Sequence, residues 1–530
     1  MSPAGRDEFV HLWYEGSSKR FGKKWFPYQK GGSIRKWYGN NEYVVDWENE
    51  GYAIKNNFDA TTGRLRSHNY NGEYAFMEGL TWSAIGSNGV AFRYVPKGFL
   101  FDSAGSMGFA KETNLKYIIG ILNSTISKEC FSFISPTIKF MPGHIVSIPF
   151  IYKADRSEAV IKLVDSNIAL SKLDWNAHET SWDFQENELV RIGRIIKKEK
   201  VSYCTLNDDL LSNKRLPFTG KDACSCNNID FQQVISRYKE LWTDRLMQLH
   251  DNEEELNRQF ISIYGLEDEL TPDVPMSEIT ILQQGEISID NNQICWHDDV
   301  IIKQFISYIV GCYMGRYRLD RPGLAIAYPD AKPEETAPYT YGDSTFAIDE
   351  DGIIPLMASD CGFSDNGAAR VAEFVGMVLG TEKQTENLNY MEQCLGKTLE
   401  AYMMKDFWRD HKRMYQNRPI YWLFASKKGT FQCIAYMHHM SAYTAERVRA
   451  KYLLPFIEHL QNRINDLNGR AVSLSTKENR HLTTLQKQLE ECQEYHDRLQ
   501  VIAEQAISFD LDDGVVVNYV KFGDVLAKIK

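Results

Sequence analysis

KRFGKKWFPYQKGGSIRKWYGN, residues 19–40, holds seven Lys or Arg and no acidic side chain, within a 530-residue chain whose formal charge is −11. Its cations interleave with Phe21, Trp25, Phe26, Tyr28, Trp37 and Tyr38. Two readings compete. Either the rings build a small core and the cations form a solvated face, or the cations meet phosphates while aromatic faces take unstacked bases. Gly31 and Gly32 let the backbone come close in both.

Around that stretch, residues 1–150 are rich in Gly, Tyr, Trp, Phe and Asn. Short apolar bursts, YVVDW (43–47), VAFRYV (90–95) and GFLFD (98–102), read as strands separated by turns. NLKYIIGILNSTIS (114–127) has helical spacing, and KFMPGHIVSIPF (139–150) reads as a turn at Gly143 leading into a strand that Pro149 limits. Further cations, Arg64, Arg66, Arg93 and Lys97, fall in turn-like positions, and Asn69 lies in the polar run GRLRSHNYNGEY (63–74). The expectation is a mixed α/β first domain over residues 1–152.

Residues 153–265 read as a helical spacer, with one helix near 156–173 and a long one near 229–264 carrying Val234, Tyr238, Leu241, Leu249, Leu256, Phe260 and Ile263. The acidic, Pro-bearing GLEDELTPDVP (265–275) opens an α+β region over 266–440, with a helix near 301–314 and strand-like pieces at 345–356 and 418–426. In residues 441–530, Leu453, Ile457, Leu460, Ile464 and Leu467 form one helix seam. Leu485, Leu489, Cys492, His496, Leu499 and Ala503 form another behind a Ser475/Glu478 capping box. A helical hairpin followed by a terminal strand segment accounts for them. The fold class is therefore α+β and multidomain, as 530 residues exceed what one core serves.

The totals narrow the function classes. No run of about 18 apolar residues and no N-terminal leader pattern is visible, so a cytoplasmic protein is expected. Ten scattered cysteines without a CxxC pair read as reduced thiols. Cys224 with Cys226, and His438 with His439, read as incidental rather than as metal ligands. P-loop, GxSxG and HExxH motifs are missing, as are NPP and DPP tripeptides, and the run Ala104 to Gly108 is a poor cofactor loop. No catalytic residue and no metal ligand is assigned.

Several segments in order resemble one family. KWFPYQKGG (24–32), KWYGNNEYVVDWENEG (36–51), EYAFMEGLTWS (73–83), YVPKGFLFDSAG (94–105), DWNAHETSWDF (174–184), YGLEDELTPDVP (264–275) and RPIYWLFASKKGTF (418–431) are similar to the PglX-type adenine-specific DNA methyltransferases of the BREX phage-defence system. More distantly, they resemble fused type II restriction-methylation enzymes. The resemblance covers that family's C-terminal half, its target-recognition and C-terminal regions, encoded here as a fragment or separately.

It implies a chain that selects a site on double-stranded DNA. N6-methylation of adenine, with S-adenosylmethionine as cofactor, would belong to a catalytic domain on the same or another chain, and other defence proteins would be further partners. The DNA-facing residues it implies are Lys23, Lys24, Lys30, Arg35 and Lys36, with Trp25, Tyr28, Trp37 and Tyr38 open between core and contact, and Arg64, Arg66, Asn69, Arg93 and Lys97 added as further candidate DNA contacts from their own positions. Acidic residues such as Glu253 to Glu255 should face away from DNA. A protein-interaction scaffold and a nuclease with an unrecognised site are the alternatives.

Overall fold

The computed structural model describes residues 6–67, 71–86, 89–211, 228–470 and 474–529. The chain divides into two compact units, and the division differs from the four consecutive segments expected. One unit comprises residues 1–13, 20–184 and 237–297; the other comprises 14–19, 185–236 and 298–530. Helices expected to form a separate spacer thus share a unit with the aromatic N-terminal region.

In the first unit, β1 (Val10–Leu12), β2 (Trp25–Gln29) and β3 (Tyr43–Asp46) form an antiparallel sheet in the order β1-β3-β2. α1 (Glu48–Lys55) follows β3 directly. A second sheet pairs β4 (Gly79–Trp82) with β5 (Phe92–Val95), and β6 (Leu100–Phe101) joins the first sheet parallel to β2. β7 (Met107–Gly108) closes the second sheet beside β4. Val10, Tyr28, Val45, Ile54 and Leu100 fill the core between the first sheet and α1. The strands are mostly buried along their length rather than alternating, as in β1, where all three residues are buried, and β4, where all four are.

The helix expected over 114–127 is two helices, α2 (Glu112–Leu122) and α3 (Thr125–Ile134). The break follows from Asn123, whose side chain leaves the helix to bond the Phe92 backbone at both N–H and C=O, each at 2.9 Å. The strand expected within 139–150 is instead one helical turn, α4 (Pro142–Val146), because Pro142 is preset for a first helical position. α5 (Ala154–Asn176) and α6 (Phe231–Tyr264) match the expected long helices. Val160 and Val164 of α5, with Phe260 of α6, close around Gly120 of α2, where a Cβ would sit 3.0 Å from Val164.

The second unit holds the apolar helix α7 (Asp298–Tyr313), buried continuously from Phe305 onward, and the helices α8 (Gly367–Leu379) and α9 (Gln384–Leu395). A three-stranded antiparallel sheet orders Ile353–Pro355, Gln432–Tyr436 and Tyr421–Ala425. The expected hairpin is present as α10 (Leu454–Gly469) and α11 (Thr476–Glu504), with Leu460, Ile464 and Leu467 buried on one and Leu485, Cys492 and Leu499 on the other. Ser475 and Glu478 form the capping box. Among the described residues the terminal strand segment is not formed. Residues 511–525 are short helical turns, and only Leu526 bridges to a strand, at Phe424.

Candidate nucleic-acid interface

Sheet register sorts the expected DNA-facing residues. β2 starts at Trp25 opposite Asp46, the last residue of β3, and β6 runs parallel to β2 with Tyr28 opposite Leu100. The start of β2 and the end of β3 share one end of the sheet, and the chain leading into β6 comes from that end, since β6 itself pairs with the last two residues of β2 while Gly98 and Phe99 bond to Phe76, which packs on Phe26 and Trp47. Lys23 and Lys24 precede β2 there, Lys97 precedes β6, and α1 leaves from it.

Local bonds tie these loops together. The Trp47 N–H donates to the Lys24 carbonyl at 2.8 Å, and the Lys24 ammonium lies 3.7 Å from Asp46. Phe76 reaches in from the loop before β4, donating its N–H to the Phe99 carbonyl at 2.9 Å, and its ring packs on Phe26 and Trp47. Lys55 covers the Trp47 ring at 5.0 Å. The loop after α1 is built on Asp59, which accepts from the Thr61 and Thr62 N–H groups, and it carries Arg64 and Arg66 in solvent. Lys23 and Lys97 are also exposed, and so are Tyr52 and Phe58. This end of the sheet offers cations and aromatic faces on loops held by a rigid scaffold, with Glu48, Glu50 and Glu73 among them.

The other half of the basic stretch turns inward, which corrects its expected placement on a DNA-facing surface. Arg35 is buried, its NH1 2.8 Å from Asp174 Oδ2 on α5, with its guanidinium over the Trp175 ring. Lys36 Nζ meets Glu253 Oε2 of α6 at 2.6 Å, and Trp37 Nε1 donates to Glu253 Oε1 at 2.7 Å. Glu253, expected to face away from DNA, is thus an internal counter-charge. Trp25, Tyr28, Trp37 and Tyr38 are likewise interior. Burial, with Asp183 nearby, pushes the Tyr38 hydroxyl up to about 12.

Arg93, expected in a turn, lies on β5 at 1% exposure; burial and the Arg35 charge hold its guanidinium down to about 10. Lys30 sits at the opposite end of β2 from Lys23, over the Tyr43 ring at 4.1 Å. Asn69 lies outside the described residues.

The backbone explains how a cationic run enters the interior. Trp37 adopts a left-handed φ of 70°, costly for a bulky residue, and is held there by a bond from its N–H to Phe92 and one to its carbonyl from Tyr94. Gly39 (φ 127°) lets the chain pass the Arg35 side chain, since a Cβ there would lie 2.4 Å from Arg35 Cδ. In the run from Ala104 to Gly108, the Ala104 and Gly105 amides both donate to Asp102, so they serve the turn itself.

In the second unit, His438 is buried with Nε2 3.0 Å from the Gly16 carbonyl. Cys224 and Cys226 lie outside the described residues. Among the described residues, no helix is long and apolar enough to cross a membrane.

No protein-family model matches the chain. It is 37% identical over 516 residues to an adenine-specific methyltransferase PglX of Lacticaseibacillus casei (strain Zhang), covering 94% of this chain and 39% of that protein. It is 34% identical over 556 residues to an adenine-specific methyltransferase BrxX of Escherichia coli O9:H4 (strain HS), covering 99% of this chain and 42% of that protein. The chain spans about two-fifths of the length of these relatives, and its relation to adenine-specific methyltransferases runs through nearly all of it.

Proposed function

We propose that this chain is a DNA-recognition module of an N6-adenine DNA methyltransferase of BREX-type phage defence. The reading is carried by the continuous similarity to two adenine-specific methyltransferases over 94% and 99% of the chain. In this reading, methyl transfer and S-adenosylmethionine binding belong to the three-fifths of those relatives with no counterpart here.

The loops at one end of the first sheet then supply the DNA contact. Lys23, Lys97, Arg64 and Arg66 set register on the phosphates, and Lys24 contributes after yielding its contact with Asp46. Side chains of the loop over 56–67 reach base edges. Removing an adenine from its stack costs a few kcal/mol, and a firm grip on the flanking duplex lets the catalytic part spend its own binding on the base. The interior cations Arg35, Lys36 and Arg93 serve by holding the loops in place.

Duplex binding at two salt concentrations tests this. Four phosphate contacts, or five with Lys24, give a slope of log affinity against log salt of about −4. An affinity indifferent to salt, or no binding of duplex DNA at low salt, contradicts the reading.

A further inference from the structure

A second surface of the first unit is chemically unlike the cationic sheet end. The 23 residues from 130 to 152, CFSFISPTIKFMPGHIVSIPFIY, contain one charged side chain, Lys139. A segment of that composition belongs in a core, yet much of it faces solvent. Phe133 is 81% exposed and Val146 83%, and Ile138, Met141, Phe150 and Tyr152 are also exposed. Ile85, exposed as well, is brought beside this segment by its bridge to Lys139.

The strip is held firmly. The Tyr264 hydroxyl donates to the Pro149 carbonyl at 2.5 Å and accepts from the Ile151 N–H at 3.1 Å. The Tyr117 hydroxyl donates to the Ile151 carbonyl at 3.1 Å, and its ring supports both Phe150 and Tyr152. Both backbone groups of Ile151 are therefore occupied, which fixes this part of the strip and leaves its exposed side chains to meet a partner. Ile138 also borders a cleft of about 660 Å³ whose wall mixes Trp37 and Phe140 with polar and charged residues such as Lys128, Glu253 and Glu278.

We infer that this strip docks a folded protein surface, the methyltransferase part that occupies the remaining length of the relatives. Two observations select that occupant. DNA interfaces are strongly cationic, whereas charge depletion and exposed aromatic and aliphatic groups mark the centre of protein interfaces. The relatives also carry about three-fifths of their length beyond the region matched here, a polypeptide able to cover such a surface. This inference rests on the proposed recognition role. It adds a division of labour within one unit, in which the sheet end grips DNA while the strip fixes the grip relative to the catalytic part.

The test is co-expression of the tagged full chain with the unmatched part of the L. casei relative, and separately with that of the E. coli relative. Each is followed by purification and measurement of mass in solution. A one-to-one complex is expected, with affinity falling at least tenfold for Phe133→Ser/Val146→Ser, a pair exposed enough to leave the fold intact by circular dichroism.

A complex unaffected by that pair, or none with either partner, overturns the inference. So does wild-type self-association abolished by the pair, which assigns the strip to a second copy. Loss of duplex binding in the pair without complex formation assigns it to DNA. Salt-dependent binding of DNA by the wild type, measured alongside, separates failure of this inference from failure of the recognition reading.

Discussion

Residues 20–24 and 35–38 belong to one stretch and both mix cations with aromatic rings, but the fold treats them oppositely. Lys23 stands in solvent and Lys24 reaches a neighbouring aspartate near the surface, while Arg35 and Lys36 are tied to Asp174 and Glu253 in the interior. The difference lies outside the stretch. Two helices more than 130 residues downstream deliver carboxylates to the second segment, as the separations of 139 and 217 residues in the two ion pairs record. Charge in a sequence marks a surface only where nothing elsewhere in the chain is placed to neutralise it.

The largest expected effect breaks the interior side of that contrast. Asp174→Ala removes the counter-charge of Arg35 and also an acceptor for the Leu282 N–H at 2.7 Å. It leaves the buried Arg35 guanidinium, beside the equally buried Arg93, without that carboxylate. Urea unfolding should show a loss of about 3–5 kcal/mol, and a loss below about 1 kcal/mol would mean that Arg35 escapes to solvent easily.

Gly39→Ala should follow. It places a Cβ against Arg35 and Trp175 on a backbone that only glycine adopts readily, at a cost of about 2–3 kcal/mol read in the same experiment.

The buried histidines of the second unit give a pH-dependent counterpart. Burial, together with the Arg316 charge, pushes both His411 and His438 down to about 3, so the folded state keeps them neutral. The unfolded chain takes up their protons from about pH 6.5 downward. Their contribution is fully present above that pH and is lost as pH falls from 6.5 towards 3, at about 1.4 kcal/mol per pH unit for each histidine at the steepest. His411→Gln/His438→Gln should flatten the acid side of the stability profile, whatever its cost at neutral pH. An unchanged acid slope would contradict the assignment.

How far the sequence could be read follows from the same contrast. Strands at 43–47 and 90–95, the long helices, and the Ser475/Glu478 cap were legible because each depends on neighbours within a few residues. The break at Asn123, the left-handed Trp37 and the inward turn of Arg35 were not, since each is set by a partner distant in sequence. For Lys36 and Trp37 one signal existed. Glu253 belongs to an acidic run in a helix whose apolar positions give it a buried face, and its own register falls beside Asn252 and Leu256, both buried. Arg93 sits between Phe92 and Tyr94 on β5, paired with Thr81 of β4, and its 1% exposure depends on neighbours distant in sequence.

The smallest effect on stability belongs to the exposed side. Lys23→Ala/Lys97→Ala should change unfolding free energy by no more than about 0.5 kcal/mol, because neither residue is buried. Lys24 is left in place there, as its contact with Asp46 would mix the two effects.

The most direct test of the account is the salt dependence of duplex binding by that Lys23→Ala/Lys97→Ala variant beside the wild type. The account predicts an unchanged fold, weaker binding, and a salt slope shallower by about two, one for each phosphate contact removed. A variant that binds with wild-type affinity and slope would contradict it, and would leave the exposed half of the basic stretch without a role in holding DNA.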